Sequence, residues 1–130
     1  MFAPRVRAQQ PDDPLRDSLF PPELVMQHQQ AIGLSDEQKN FFKAELRQAQ
    51  LHFTELQWKV QDEMEKLVAM MKLARIDEQQ ATAQLEKVLG VERDIKRTQL
   101  TLMIRLKNKL TAEQQSRLQE LRNKAAGKRE

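Results

Sequence analysis

The chain has 130 residues, of which 32% are charged and 5% aromatic, with no cysteine and a formal net charge of +3. Without cysteine there is no disulfide, thiolate nucleophile or Cys-based metal centre, and no apolar run approaches the ~20 residues of a membrane span. Three Gly and five Pro among many Gln, Glu, Lys, Leu and Ala residues point to one all-helical domain, thin enough in its core to favour self-association.

Residues 1–19 contain Pro4, Pro11 and Pro14 among polar groups and read as a disordered or extended lead. Val6-Arg7-Ala8 before Gln9 places small residues where a signal peptidase needs them, without the charged and apolar regions of a complete signal. A signal-peptide remnant and a plain flexible tail both fit. A short helix follows. Pro22 suits its first position and Glu23 its positive end, Leu24, His28, Ala31 and Ile32 form an apolar face, and Gly33 supplies a left-handed end.

Leu34 to Ala74 contains neither Pro nor Gly. Phe42, Leu46, Ala49, Phe53, Leu56, Val60, Met64, Leu67, Met71 and Ala74 recur at three- and four-residue steps, the stripe of one long helix. Ser35 and Gln38 have capping-box spacing. Over positions 36 to 74 the helix would run roughly 58 Å. Arg75-Ile76-Asp77 interrupt it, Asp77 with Gln80 opening a second long helix over 78–109. Its stripe is Ala81, Leu85, Val88, Ile95, Leu102, Met103, Leu106 and Leu110, with Gly90 tolerated inside. Three connecting residues force the two helices antiparallel.

Thr111 and Gln114 start a last helix carrying Leu118 and Leu121, which fades into the basic tail 125–130. Leu110-Thr111-Ala112-Glu113-Gln114 repeats Leu34-Ser35-Asp36-Glu37-Gln38: an apolar residue, a hydroxyl cap, then early acid and Gln. The hairpin brings the end of its second helix beside the start of its first, so the two pentapeptides should meet there. The expected architecture is all-α, a long antiparallel hairpin with a short helix at each end, four helices in all, hooked and dimer-forming.

Two L-[ST]-x-E-Q pentapeptides flanking such a hairpin resemble the LTxxQ motifs of the Spy/CpxP-like family of bacterial periplasmic proteins, which includes periplasmic heavy-metal sensors. The resemblance covers about residues 20–124, with Ser35 replacing the usual Thr. It implies a periplasmic, exported protein that pairs into a curved homodimer. Such a protein acts as an ATP-independent chaperone or stress-response accessory on unfolded or partner polypeptides, or as a metal sensor for an envelope signalling protein. The sensor branch implies a pair of His one turn apart on the first helix, a Glu on the second and a His on the third. This chain offers His28, with Leu24 and Ile32 at its neighbouring turns, and Glu45, but no third-helix His. Three or four N/O ligands are needed for zinc or a similar divalent transition metal, so no firm site and no cofactor is expected. His52 would need a ligand from another chain.

The chaperone branch requires a surface both apolar and charged. Leu51 and Trp58 lie opposite the stripe of the first long helix, and Arg93, Lys96, Arg97, Leu100, Ile104 and Lys107 share a side of the second. Basic groups would draw acidic segments and the leucines would take apolar side chains. The alternative for Leu51, Trp58, Leu100 and Ile104 is a dimer interface or packing beneath the short helices. Met64, Met70, Met71 and Met103 read as pliable core.

No nucleophile–base set or phosphate loop suggests an enzyme. Residues 77–130 carry twelve basic and eight acidic groups, and the pI of about 9.3 raises nucleic-acid binding. The interspersed acids and the lack of a reading helix argue against it. It stays, with a structural helical adaptor, an alternative.

Overall fold

The computed structural model describes residues 14–127, and the possible cleavage site at Val6–Ala8 lies outside them. The fold is all-α. Among the described residues five helical segments follow in order: α1 (Pro14–Ser18), α2 (Pro22–Gln27), α3 (Asp36–Met71), α4 (Glu78–Lys109) and α5 (Ala112–Gly127). Pro14 and its neighbours, expected in the lead, form α1, and residues 125–127, expected in the tail, complete α5. Two compact units result, one from residues 14–39 with 103–127, the other from Asn40–Leu102.

The first unit holds most of the core. Leu19, Phe20, Val25, Ile32, Leu34, Leu106, Leu110 and Leu118 are all buried in it, and α2 packs on α5. The helical period of α2 stops after Gln27, so its buried residue is Val25, while Leu24 and His28 are only half-buried and Ala31 is exposed. Gly33 (φ +68°) ends the turn that follows. Leu34 N–H donates to Gln29 O at 2.9 Å and Gly33 N–H to Gln30 O at 3.2 Å, the paired bonds of a Schellman motif. A Cβ at residue 33 would be strained by that backbone angle.

Both pentapeptides form reciprocal capping boxes. Gln38 N–H donates to Ser35 Oγ (3.1 Å) and Ser35 N–H to Gln38 Oε1 (2.9 Å). Gln114 and Thr111 repeat the pair at the same distances. The boxes also meet: Gln38 Nε2 donates to Gln114 Oε1 (2.8 Å) and Gln114 Nε2 to Gln38 Oε1 (3.0 Å). The remaining amide hydrogen of Gln38 goes to Lys109 O (2.8 Å), and Gln114 Nε2 reaches Ile32 O and Gly33 O (both 3.3 Å). Each Gln thus ties its own cap to the carbonyl two residues before the other cap. Burying two amides costs little because every donor and acceptor is used.

Leu19, the last residue of the stretch read as a loose lead, and Phe20 after it are both buried. Arg122 holds them, donating from Nη1 to Leu19 O (2.9 Å) and from Nη2 to Asp17 O (3.0 Å), with its guanidinium 5.0 Å from the Phe20 ring centre. Lys107 Nζ donates to Ser18 O (2.9 Å) and lies 5.9 Å from the same ring.

The second unit is a hairpin-like pair formed by α3 and α4. On α3, residues 42, 46, 49, 53, 56, 60, 63, 67 and 70 are buried or half-buried, and on α4 so are 81, 84, 88, 91, 95, 98 and 102. Alternating steps of four and three are the spacing of a coiled-coil seam. A strict seven-residue repeat takes Glu63 and Met70 where the looser stripe put Met64 and Met71, which are 39% and 46% exposed. Likewise Gln84 and Val91 enter the seam, and Leu85 sits beside it. Thr98 fits because its hydroxyl donates to Asp94 O (2.8 Å). Asp77 Oδ1 caps α4 by accepting from Gln80 N–H (3.1 Å). That start is fixed, so the turn takes its residues from the end of α3, leaving six between the helices rather than three. Lys72 and Leu73 close the last turn through Val68, Ala69 and Met70 carbonyls.

Gln84, 5% exposed, makes a polar crossing of the seam. Its Nε2 donates to Glu63 O and Oε1, both at 2.8 Å. This bond, aided by Lys66, Lys87 and Lys59 and opposed by desolvation, holds the Glu63 carboxyl below its ordinary value. A depressed folded pKa contributes stability above the unfolded value, roughly 4.3, and the contribution is lost as pH falls through the folded value. Gln84→Leu should therefore flatten the acid limb of a melting-temperature profile between pH 3 and 7. An unchanged profile would count against the bond as its source.

Candidate polypeptide-binding surface

Two paired helices leave much of their surface free, and the hairpin unit uses that freedom unevenly. The seam places positions 51 and 58 of α3, seven residues apart, at its outermost edge. Leu51 and Trp58 are each 64% exposed. An indole left open on a helix flanked by Gln57 and Lys59 makes no core contribution that explains it.

On α4 the corresponding outer edge carries Arg93 and Leu100, with Lys96 and Arg97 beside them; the three cations are exposed and Leu100 is half-buried. Arg97 lies 3.8 Å from Asp94, an exposed pair of little energetic weight. The two outer edges point away from each other across the seam. Leu51 with Trp58 and the basic stripe of α4 are therefore separate surfaces, each on its own helix. Ile104, in the other unit, is 42% exposed. Lys107 is half-buried and its ammonium is engaged by Ser18 and Phe20, so its role is to hold the N-terminal segment.

Of the two metal candidates, His28 is half-buried just beyond α2 in one unit and Glu45 is half-buried on α3 in the other. His52 is exposed, with Nδ1 3.8 Å from Glu55. Among the described residues, no three His, Cys, Asp or Glu side chains gather as metal ligands, and no helix is long and apolar enough to cross a membrane. Of the six motif residues, Ser35, Gln38, Thr111 and Gln114 are spent on capping and cross-bonding, and Leu34 and Leu110 are buried in the core.

Sequence reasoning missed three features that bear on the surface. Glu63 and Gln84 lie outside the stripes that helical spacing suggests, and only the seam register brings them in. Phe20 and Arg122 are 102 residues apart with no shared pattern. The exposure of Met64, Met71 and Leu85 was concealed by their helical spacing, which suits a stripe one residue away from the true seam. No family model, curated protein or solved structure matches the chain.

Proposed function

We propose that this protein is a periplasmic, ATP-independent holder of non-native polypeptides that works as a homodimer in the response to envelope stress. The observation that carries the reading is Trp58, standing open beside Leu51 one heptad away. Exposed indole on a rigid helix is a low-entropy anchor for apolar segments. Arg93, Lys96 and Arg97 on α4 add a basic field that attracts acidic segments without fixing them. Weak apolar anchoring plus long-range attraction suits transient holding of many clients. The likeness of the two L-[ST]-x-E-Q boxes to the LTxxQ motif supports the family and the exported location.

The test is light-scattering from an aggregating, chemically unfolded client with the protein in several-fold molar excess and no nucleotide. Suppression is expected. Leu51→Ser with Trp58→Ser should weaken it several-fold while the melting temperature stays nearly unchanged, since exposed positions move stability by only about 0.5 kcal/mol. Full suppression by this variant, or none by the wild type, refutes the reading.

A further inference from the structure

The hairpin unit has two unlike flanks. Residues that immediately precede seam positions, Lys59, Asp62, Lys66 and Lys87, are exposed and charged. Those that immediately follow seam positions near the turn are Met64, Val68, Met71, Leu85 and Leu89, with exposures of 39%, 43%, 46%, 39% and 40%. In an antiparallel helix pair, the positions following the seam on both helices lie on the same side. These five side chains therefore form one apolar strip, and Leu73 and Ile76, 59% and 43% exposed, lie in the turn at its end. This strip is distinct from the outer edge that carries Leu51 and Trp58.

We infer that this strip is the surface on which a second copy of the chain packs, antiparallel, about a two-fold axis near Met64 and Leu85. The inference deepens the homodimer of the proposed function by assigning its interface, and it stands apart from the client-holding role. Three arguments select a second copy as the occupant. The first is area: the open fractions of the strip and the turn amount to roughly 500–600 Å² of surface per chain, about two-thirds of the ~800 Å² that each partner gives a stable interface and at the upper end of the largest apolar patch a monomer exposes.

Charge is the second. Glu92 follows Leu85 by one heptad on the same flank, roughly 10.5 Å further from the tip, and Met71 follows Met64 by one heptad toward it. A two-fold between Met64 and Leu85 thus lays the tip of one copy, with exposed Lys72 and Arg75, against Glu92 of the other, twice over. Among the described residues none of these three charges has an ion-pair partner. The third is need: among the described residues Phe42, Leu56, Val88 and Val91 are the buried apolar residues of this unit, a slender core that a second hairpin would thicken.

Sedimentation velocity of the full chain from 1 to 100 µM tests the assignment. A dimer is expected, and Met64→Glu with Leu85→Glu should raise its dissociation constant at least 100-fold while helicity is retained. Lys59→Ala, on the charged flank, should leave it unchanged. Because the chain lacks cysteine, Met64→Cys alone offers a second readout that tolerates the native strip: mild oxidation should give a disulfide-linked dimer, whereas Lys59→Cys should not. A monomer throughout the range, a dimer indifferent to the double charge, or cross-linking through residue 59 instead of 64 overturns the assignment. Client suppression is measured separately, so a failed interface and a failed chaperone role give different results.

Discussion

Gln114→Ala should lower the unfolding free energy by about 3 kcal/mol, a large fraction of the stability of a small domain. The change removes a cap acceptor from Thr111 N–H and both cross-bonds to Gln38, and leaves Ile32 O and Gly33 O without that donor. The site is buried, with Gln114 9% and Gln38 8% exposed, so water does not readily replace the lost partners. Gln38→Ala should cost a similar amount through Ser35 N–H and Lys109 O. The double variant should cost less than the two single changes combined, because both remove the same pair of amide–amide bonds. Urea denaturation followed by circular dichroism measures all three. Strict additivity, or a single-variant loss below about 1 kcal/mol, would mean that the boxes cap their helices independently.

Phe20→Ala should destabilise the first unit by about 3 kcal/mol, at the lower end for a buried Phe because the chain around residue 20 can partly collapse into the space. Phe20 is 3% exposed and lies between the Arg122 guanidinium and the Lys107 ammonium. Its loss removes apolar burial and two cation–ring contacts together. Arg122→Ala keeps the ring but removes the donors to Leu19 O and Asp17 O, and should cost about half as much. Hydrogen exchange supplies the localising measurement: residues 17–20 should lose protection in both variants while the α3–α4 seam of the second unit keeps its own. Retained protection at residues 17–20 in Phe20→Ala would show that the segment is held by something other than the ring.

Much of the local architecture was legible because it rests on contacts between near neighbours in the chain. Ser35 with Gln38, Thr111 with Gln114 and Asp77 with Gln80 each close a cap over three residues, and spacing alone identifies them. The start and end of α4 at Glu78 and Lys109 agree with the expected 78–109, since Asp77 opens that helix and the Thr111 box closes it. The candidate surface was legible in part. Leu51 and Trp58 fall opposite any reasonable stripe on α3, and they are exposed.

Register was harder to read. The pairs 63/64, 70/71 and 84/85 permit two stripes one residue apart, and hydrophobicity prefers Met64 over Glu63 and Leu85 over Gln84. The partner helix decides otherwise, because Gln84 satisfies both amide hydrogens on Glu63 and so becomes acceptable inside the seam. Lys107 is a comparable case: a basic residue on a basic stripe, drawn out of it by a carbonyl and a ring 89 and 87 positions away.

The amino-acid order by itself determined that the chain is helical, where each long helix is capped, and that the two Gln-containing boxes are equivalent, because helix periodicity and capping act over three or four residues. Only the tertiary structure decided which polar residues are buried, which apolar ones are left open, and that Leu19 and Phe20 belong to a core. Those outcomes depend on whether a distant donor or acceptor arrives to satisfy a buried polar group, and no local pattern contains that information.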